Sequence, residues 1–367
     1  MRFIQVSEIQ LGFHADSGKR WGRDRAVERA ESLKRVIEKA AEVSCELLVI
    51  TGGLFSHQPV TSELEEVNRL FLSIPSVEVV WIAGDSDCLR PNSPVQSFQF
   101  APNVHFVRGD APVRLDFLRL NTAVYAMPQT ENTSSEKTLR PAARLIETVK
   151  EDRDVQESIR FLLLRGGTAE DAKLLYENAS FYSYAAVGES RRHREIVPEK
   201  AYDSGMLEPA NISDIGEHGI YIGDISSATG RLIKLEFVPL AASCYLPLSF
   251  EVNEEMTGRM LEARVEDALS AHGKNNIYRI RLIGKRDPDA DFDLSALERA
   301  YRIEEIVDDT EPQYDFSALF AEHPQDMIGY YISTLRKQED ELSETERKAM
   351  YYGIDALLKT ADRERRK

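Results

Sequence analysis

Along the first half of the chain, short runs of consecutive apolar residues alternate with stretches whose apolar positions recur every three to four residues. Phe3-Ile4-Gln5-Val6 predicts a strand that runs out into the polar loop Ser7–Gly12. Arg25–Val43 carries Ala26, Ala30, Leu33, Ile37, Ala40 and Ala41 at helical spacing and predicts one amphipathic helix. Glu46–Thr51 holds Leu47-Leu48-Val49-Ile50, a run without polar alternation that suits a strand covered on both faces, and Gly52-Gly53 stops it. Ser62–Ser73 predicts a second helix, with Ser62 as N-cap and Glu65 three residues on. Strands follow at Val77–Ala83, Val104–Val107 and Ala123–Met127, before a Ser/Thr-rich loop at Thr130–Ser135. Arg160–Leu164 reads as a buried strand leading through Gly166-Gly167 into a helix at Ala169–Asn178, and Tyr184–Val187 as a strand ending on Gly188. Strands joined by helical connections predict an α/β layered domain with candidate sites at the carboxyl ends of its strands.

After residue 195 the rhythm changes. Gly219–Gly223, Leu232–Val238 and Cys244–Val252 read as strands joined by short turns, and Met256–His272 as an amphipathic helix. In Asn276–Ile283 the residues Tyr278, Ile280 and Leu282 share one face of a strand. Leu294–Ala300 predicts a helix and Tyr301–Val307 a strand, and from Phe316 the pattern turns helical, at Met327–Glu339 and Glu344–Leu358. The expected division is 1–240 for the α/β domain, 241–312 for a small α+β unit and 313–367 for a helical tail.

Composition narrows the class. With 367 residues the chain exceeds a single core, and 42% hydrophobic residues can fill a sizeable one. No stretch approaches the ~20 apolar residues of a membrane span, and Phe3–Val6 is too short for a secretory segment. Cys45, Cys88 and Cys244 lie far apart without metal-like spacing, so a reduced, cytoplasmic setting is expected. A formal net charge of −16 gives no bulk attraction to nucleic acid. The run Arg191, Arg192, His193, Arg194 is the local exception, read as a solvated loop.

Five loops stand where strands end: Ser7-Glu8-Ile9-Gln10, Gly52-Gly53-Leu54-Phe55-Ser56, Gly84-Asp85-Ser86-Asp87, Leu164-Arg165-Gly166-Gly167 and Gly188-Glu189-Ser190-Arg191. Their order and spacing resemble the calcineurin-like metallophosphoesterases, and most of all the SbcD-type DNA-repair exonuclease subunit. That family reads Asp-x-His, Gly-Asp-Leu-Phe-Asp, Gly-Asn-His-Asp, His-Gly and Gly-His-x-His at these places. The resemblance implies a four-layer α/β/β/α sandwich with a small α+β capping domain and a C-terminal helical tail. Carried over position by position, the ligand set is degenerate. Glu8 and Gln10 stand for the first Asp and His, Gly53 for the aspartate that bridges two metals, and Asp85 for the asparagine. Ser86 replaces the histidine that would serve as general acid, Arg165 the fourth-loop histidine, and Glu189 and Arg191 the last histidine pair.

Two divalent cations about 3.5–4 Å apart need an anionic bridge, and glycine at 53 supplies no donor atom. Arg165 and Arg191 add fixed positive charge where cations would sit. Two accounts remain for Glu8, Asp85 and Glu189. They pair with the two arginines as a salt-bridge cluster, the simpler account, or they hold one hard cation such as Mg²⁺ or Mn²⁺. Other residues have plain readings. His57 is a solvated loop histidine, His14 and Asp16 are surface residues, and Asp87 caps the turn. Cys88 is an inert thiol, and Gly166-Gly167 form a turn.

The tail carries two apolar stripes, Met327-Ile328-Tyr330-Tyr331-Ile332-Leu335 and Met350-Tyr351-Ile354-Leu357-Leu358. They suit packing on the chain itself or, as the resemblance implies, docking on the coiled-coil root of an SbcC-like SMC/ABC ATPase. The expectation is therefore an SbcD-like protein without catalysis or cofactor, acting as scaffold or DNA-clamping subunit with that ATPase. DNA and a second copy of the chain are the other candidate partners. The alternatives are a divergent one-metal phosphodiesterase using Glu8, Asp85 and Glu189, and a pocket that holds phosphate or nucleotide on Arg165 and Arg191 without hydrolysis.

Overall fold

A computed structural model describes residues 1–131, 141–152, 154, 156–336 and 344–365. Residues 132–135 of the expected Ser/Thr-rich loop and 337–339 of the expected Met327–Glu339 helix lie outside the described residues. The chain divides into two compact units, Met1–Tyr245 and Leu246–Lys367.

The first unit is built on two mixed six-stranded sheets. In one, β1 (Arg2–Val6), β2 (Leu47–Thr51), β3 (Glu78–Ile82) and β4 (Val104–Phe106) run parallel, and β11 (Gly219–Ile225) and β12 (Leu232–Pro239) add antiparallel on the β1 side. In the other, β6 (Thr122–Ala126), β7 (Ile159–Arg165), β8 (Tyr184–Gly188) and β10 (Ala201–Asp203) run parallel. Antiparallel strands β5 (Val113–Phe117) and β9 (Arg194–Val197) form its two edges.

Side chains alternate across each strand, and the alternation sorts them into separate cores. Phe3, Leu47, Val49, Val80 and Ile82 of the first sheet join Val124, Phe161, Leu163, Tyr184 and Ala186 of the second in one cluster. The opposite faces of β1, β2 and β3 (Ile4, Leu48, Ile50, Val79, Trp81) pack against Leu33, Val36 and Ile37 of α2 (Ser32–Glu42) and Leu64, Val67 and Phe71 of α3 (Thr61–Leu72). Tyr125, Leu162, Leu164, Ala185 and Val187 meet Leu145, Ile146 and Val149 of α4 (Pro141–Glu151) and Leu175 of α5 (Ala169–Glu177). This explains the lack of polar alternation in Leu47–Ile50, since both faces of that strand are covered. Gln5, fully buried, ties the sheets together. Its amide donates to the carbonyls of Val187 (3.0 Å) and Tyr202 (2.8 Å), and its carbonyl accepts from Tyr184 (2.7 Å).

Two helix readings need correction. Arg25–Val43 is two helices, α1 (Gly22–Ala30) and α2, broken at Glu31. The Ser32 hydroxyl donates to the Arg29 carbonyl (2.7 Å), so a side chain competes for an acceptor that a straight helix keeps for its backbone. The buried side chains of α1 are Arg25 and Arg29, while Ala30 is exposed. The next helix starts at Thr61, and the Glu63 carboxylate accepts from the Val60 N–H (2.9 Å), in place of the expected Ser62 cap and Glu65. Strands β5, β9 and β10 and helix α4 have no counterpart among the expected elements.

In the second unit β13 (Tyr245–Val252), β14 (Ile277–Arg286) and β15 (Arg302–Pro312) form a sheet with β14 central and parallel to β15. Tyr278, Ile280 and Leu282 are buried with Leu261, Val265 and Leu269 of α6 (Gly258–His272) and Leu297 of α7 (Ser295–Ala300), while Arg279 and Arg281 on the other face are exposed. Beyond β15, helices α8 (Phe316–Glu322), α9 (Met327–Arg336) and α10 (Glu344–Arg365) share a small cluster of Ile328, Ile332 and Ile354, flanked by Tyr331, Tyr351 and Leu357. Among the described residues no helix is long and apolar enough to cross a membrane.

Candidate functional site

The parallel strands bring the five loops together at their carboxyl ends. Glu8 and Gln10, with φ of +47° and +58°, follow β1 in a conformation that non-glycine residues adopt at a cost of about 1–3 kcal/mol each. Backbone bonds hold them there. Glu8 N–H donates to Gly52 O (3.0 Å), Gln10 N–H to Gly53 O (2.8 Å) and Leu11 N–H to Leu54 O (2.8 Å). From below, the Arg29 guanidinium donates to the Ile9 carbonyl (3.2 Å). Glu189, after β8, also lies at positive φ, +130°.

Arg165, the last residue of β7, occupies the centre. It is 6% exposed, and its Nη1 lies 2.5 Å from Glu8 Oε1 and its Nη2 3.2 Å from Asp85 Oδ2. Nη1 also donates to the Thr51 carbonyl (3.3 Å). Gln10 Nε2 donates to the other Glu8 oxygen (2.5 Å), and Gln129 Nε2 to Asp85 Oδ1 (2.9 Å). Burial by itself would lower the Arg165 pKa, but the charges of Glu8 and Asp85 outweigh it and raise it. Glu189 titrates above the ordinary carboxylate range. Burial is the main cause and Asp85 adds repulsion, against attraction from Arg165.

Arg191 does not join this group. Its Nε and Nη2 clasp the two oxygens of buried Asp214 at 2.5 and 2.6 Å, in the bidentate geometry that suits a guanidinium. Burial would raise the Asp214 carboxyl, yet the bonds from Arg191 and from the N–H groups of Ala210 and Asn211 hold it below its usual value. The expected pairing of Glu8, Asp85 and Glu189 with both arginines thus holds for Glu8 and Asp85 with Arg165. Arg191 has a partner of its own.

Two glycines set the spacing. A Cβ built on Gly53 (φ +63°) would lie 2.5 Å from Glu8 Oε2, so the Glu8 carboxylate fills the space in front of Gly53. A Cβ on Gly188 would run into the Thr51 carbonyl, so only glycine lets the loops of the two sheets meet. Alongside, the Arg165 guanidinium covers Gly52. These residues do not fit a two-metal centre, because position 53 carries no bridging oxygen and an ion-paired guanidinium takes the adjoining space. Among the described residues no group of three or more His, Cys, Asp or Glu side chains is placed to hold a metal ion.

The remaining sequence candidates fall around the site. Asp87 does more than cap its turn. Its Oδ1 accepts from Gly84 N–H (2.5 Å) and its Oδ2 from Phe55 N–H (3.1 Å), which joins the third loop to the second. Ser86 and His14 are exposed. His57 pairs with Glu63 at the surface (3.0 Å). Asp16 is not a free surface group, since it accepts from Trp21 Nε1 (3.0 Å) and the Tyr245 hydroxyl (2.7 Å). Cys88 is buried. Gly166 and Gly167 (φ +140° and +113°) turn the chain into α5. Arg194 starts β9 and donates to the Gly167 carbonyl (2.8 Å), and Arg192 donates to the Ser213 carbonyl (3.2 Å). An open cleft of about 270 Å³ lies beside the ion pair, lined by Glu8, Gln10, Phe13, Glu189, Arg191 and Met206 among others. Sequence reasoning missed Gln129, Asp203 and Asp214. Asp203, wholly buried, accepts from Ser190 N–H (3.0 Å) and Gly205 N–H (2.9 Å) and so shapes the Glu189 loop. The polar stretch Asn211-Ile212-Ser213-Asp214 marks a turn, but nothing in it names Arg191 as partner.

Asp87 gives the site a pH signature. Burial pushes its carboxyl up to about 6, against the opposing N–H bonds of Phe55 and Gly84. An acid whose folded pKa is raised binds more protons folded than unfolded, so its contribution to stability falls as pH rises from about 4 to about 6 and is level above that. Asp87→Asn removes this dependence. In urea unfolding, the stability of the variant relative to the parent should rise by about 2 kcal/mol between pH 4 and pH 7. A pH-independent difference would show that Asp87 is ionised throughout.

No protein-family model and no curated protein matches this sequence. Solved structures that align with it include the purple acid phosphatase PPD1 from yellow lupin (Lupinus luteus) seeds, at 10% identity over 64% of this chain, with a TM-score of 0.39. The alignment spans 53% of the lupin protein, so the chain matches about half of its length. The Thermus thermophilus protein TT1561 aligns at 12% identity over 64% of this chain and 98% of its own, also with a TM-score of 0.39. Similarity at this level assigns neither family nor chemistry, and the chain is described by its own architecture: a mixed α/β protein whose larger unit gathers Glu8, Asp85 and Arg165 into one ion-paired cluster where its parallel strands end.

Proposed function

We propose that this chain is a metallophosphoesterase-like protein whose catalytic centre has been replaced by a salt-bridge cluster, and that it acts as a binding subunit. One observation carries the reading: the Glu8 carboxylate and the Arg165 guanidinium fill the space over Gly53 and Gly52, where a bridging carboxylate and two cations would need to be. The three cores of the first unit support the four-layer α/β/β/α arrangement. The finer assignment, an SbcD-like scaffold or DNA-clamping subunit working with an SbcC-like ATPase, draws on the loop order and on the tail. There Phe320, Met327, Tyr330 and Tyr352 stay exposed beside the small cluster that α9 and α10 share.

The test is metal content and Mn²⁺-dependent hydrolysis of bis-p-nitrophenyl phosphate. The parent protein is expected to bind no stoichiometric metal and to show no turnover. A revertant must move Glu8 as well, because an aspartate at 53 collides with it, so the variant is Glu8→Asp, Gln10→His, Gly53→Asp, Arg165→His. Turnover by the parent that disappears in Asp85→Ala would overturn the proposal in favour of a one-metal enzyme using Glu8, Asp85 and Glu189.

A further inference from the structure

The cleft beside the ion pair holds polar groups that the protein leaves unmatched. Arg165 spends its terminal nitrogens on Glu8, Asp85 and the Thr51 carbonyl, and Arg191 turns to Asp214. Among the described residues the Glu189 carboxylate therefore has no hydrogen-bond or ion-pair partner, although it lines the cleft. Gln10 lines it too, and with Nε2 donated to Glu8 its carbonyl oxygen stays open. Both acceptors adjoin Glu8, since Gln10 is bonded to it and Glu189 stands close enough to feel its charge. The donors gather at Asp214 instead. Its Oδ2 accepts from Arg191 Nη2 (2.6 Å) and from the Asn211 N–H (3.1 Å), while Asn211 Oδ1 accepts from the Ser213 N–H (2.9 Å). That leaves Arg191 Nη1 and Asn211 Nδ2 without an acceptor among the described residues. Phe13, 37% exposed, and Met206 add an apolar wall.

We propose that this cleft binds a free α-amino acid with an apolar side chain. Its ammonium sits on Glu189 and Gln10, its carboxylate on Arg191 and Asn211, and its side chain against Phe13 and Met206. It rests on the metal-free binding role proposed above, because a cation would claim the Glu189 carboxylate. A group of acceptors and a group of donors match the two charges of a zwitterion, and hydrogen bonds to charged groups are the strong ones. Glu189 and Arg191 are two residues apart, so their Cα atoms lie at most about 7 Å from each other, within reach of one small molecule. The volume, about 270 Å³, falls just under the roughly 300–1,000 Å³ of pockets for drug-sized ligands and suits a smaller one. A phosphate fits less well, since Arg165 is already spent and Glu189 would repel it. A peptide offers only one of the two charges at either end, which leaves the free amino acid.

Equilibrium dialysis of the full-length chain against L-leucine, L-methionine and L-phenylalanine tests this. At least one of them should be retained, one molecule per chain. Its N-acetyl form, which lacks the ammonium, and its amide, which lacks the carboxylate, should each bind at least about tenfold more weakly. Glu189→Gln and Asn211→Ala should each weaken binding about tenfold or more, the loss of a hydrogen bond to a charged group. Circular dichroism of both variants should match the parent, which separates lost binding from lost folding. Retention of none of the three, equal binding of the blocked forms, or binding indifferent to both substitutions would each overturn the proposal. A parallel dialysis against MnCl₂ separates it from the reading it rests on. Manganese retained by the parent and lost in Glu189→Gln would overturn both, whereas retention of neither manganese nor amino acid would overturn this one alone.

Discussion

Replacing Arg165 with leucine is expected to destabilise the first unit by about 3–5 kcal/mol, the usual consequence of stranding one partner of a buried ion pair. The substitution leaves Glu8, itself 9% exposed, with the Gln10 amide as its remaining side-chain donor. Asp85 loses less, because its side chain is 53% exposed and water replaces the guanidinium. Removing both charges, as Glu8→Leu with Arg165→Leu, should recover most of the loss, since well-packed apolar groups often substitute for a buried pair at little cost. Urea unfolding followed by tryptophan fluorescence reads this unit specifically, because both tryptophans, Trp21 and Trp81, are buried within it. A loss below about 1 kcal/mol, the range of exposed pairs, would show that water reaches Glu8 freely, and the reading of a buried ion pair would then fail.

The second large effect is expected at Glu208, a fully buried carboxylate beneath the first loop. It accepts from Arg35 and from Ala242 N–H (3.0 Å) and lies 3.6 Å from Arg25 Nη1. Arg25 is held further by Glu28 (3.0 Å), the Ser243 hydroxyl and the Pro209 carbonyl (2.6 Å). Arg29 donates to the carbonyls of Ile9, Glu208 and Pro209, and burial lowers its pKa to about 10 even with Glu208 close by. Glu208→Gln takes away a negative charge that faces all three arginines, and should also cost about 3–5 kcal/mol. The damage should extend to the site, because Arg29 holds the Ile9 carbonyl between the two positive-φ residues Glu8 and Gln10. Hydrogen exchange of the Glu8 and Gln10 amides should speed up in the variant. Unchanged exchange would mean that the loop is held by its bonds to Gly52 and Gly53 alone.

The helix α1 shows how a sequence pattern can point to the right element for the wrong reason. Helical spacing of Ala26 and Ala30 suggested an apolar inner face, yet the side chains that go inside are Arg25 and Arg29. A long basic side chain can be buried wherever distant carbonyls and a carboxylate supply acceptors for its five N–H donors. Apart from Glu28 one turn away, those acceptors come from residues 9, 208, 209 and 243, and nothing near residue 25 announces them. Arg191 is a parallel case. Strand order places it at the same sheet edge as Arg165, but a long flexible arm can swing either way, and Asp214 decides the direction.

Local chemistry alone accounts for much of this protein. Apolar runs such as Leu47–Ile50 can become only strands sealed on both sides, because no polar face remains for water, and Gly52-Gly53 or Gly84 must end them in turns. From this follow the buried strands at Leu47–Thr51, Ile159–Arg165 and Tyr184–Gly188 and the turns that end them, but not the strands Val113–Phe117, Arg194–Val197 and Ala201–Asp203. Which charges meet across those turns does not follow either. Glu8, Asp85 and Arg165 are separated by up to 157 residues, and the energy that pairs them arises only once both sheets have packed and water has left the space above Gly53.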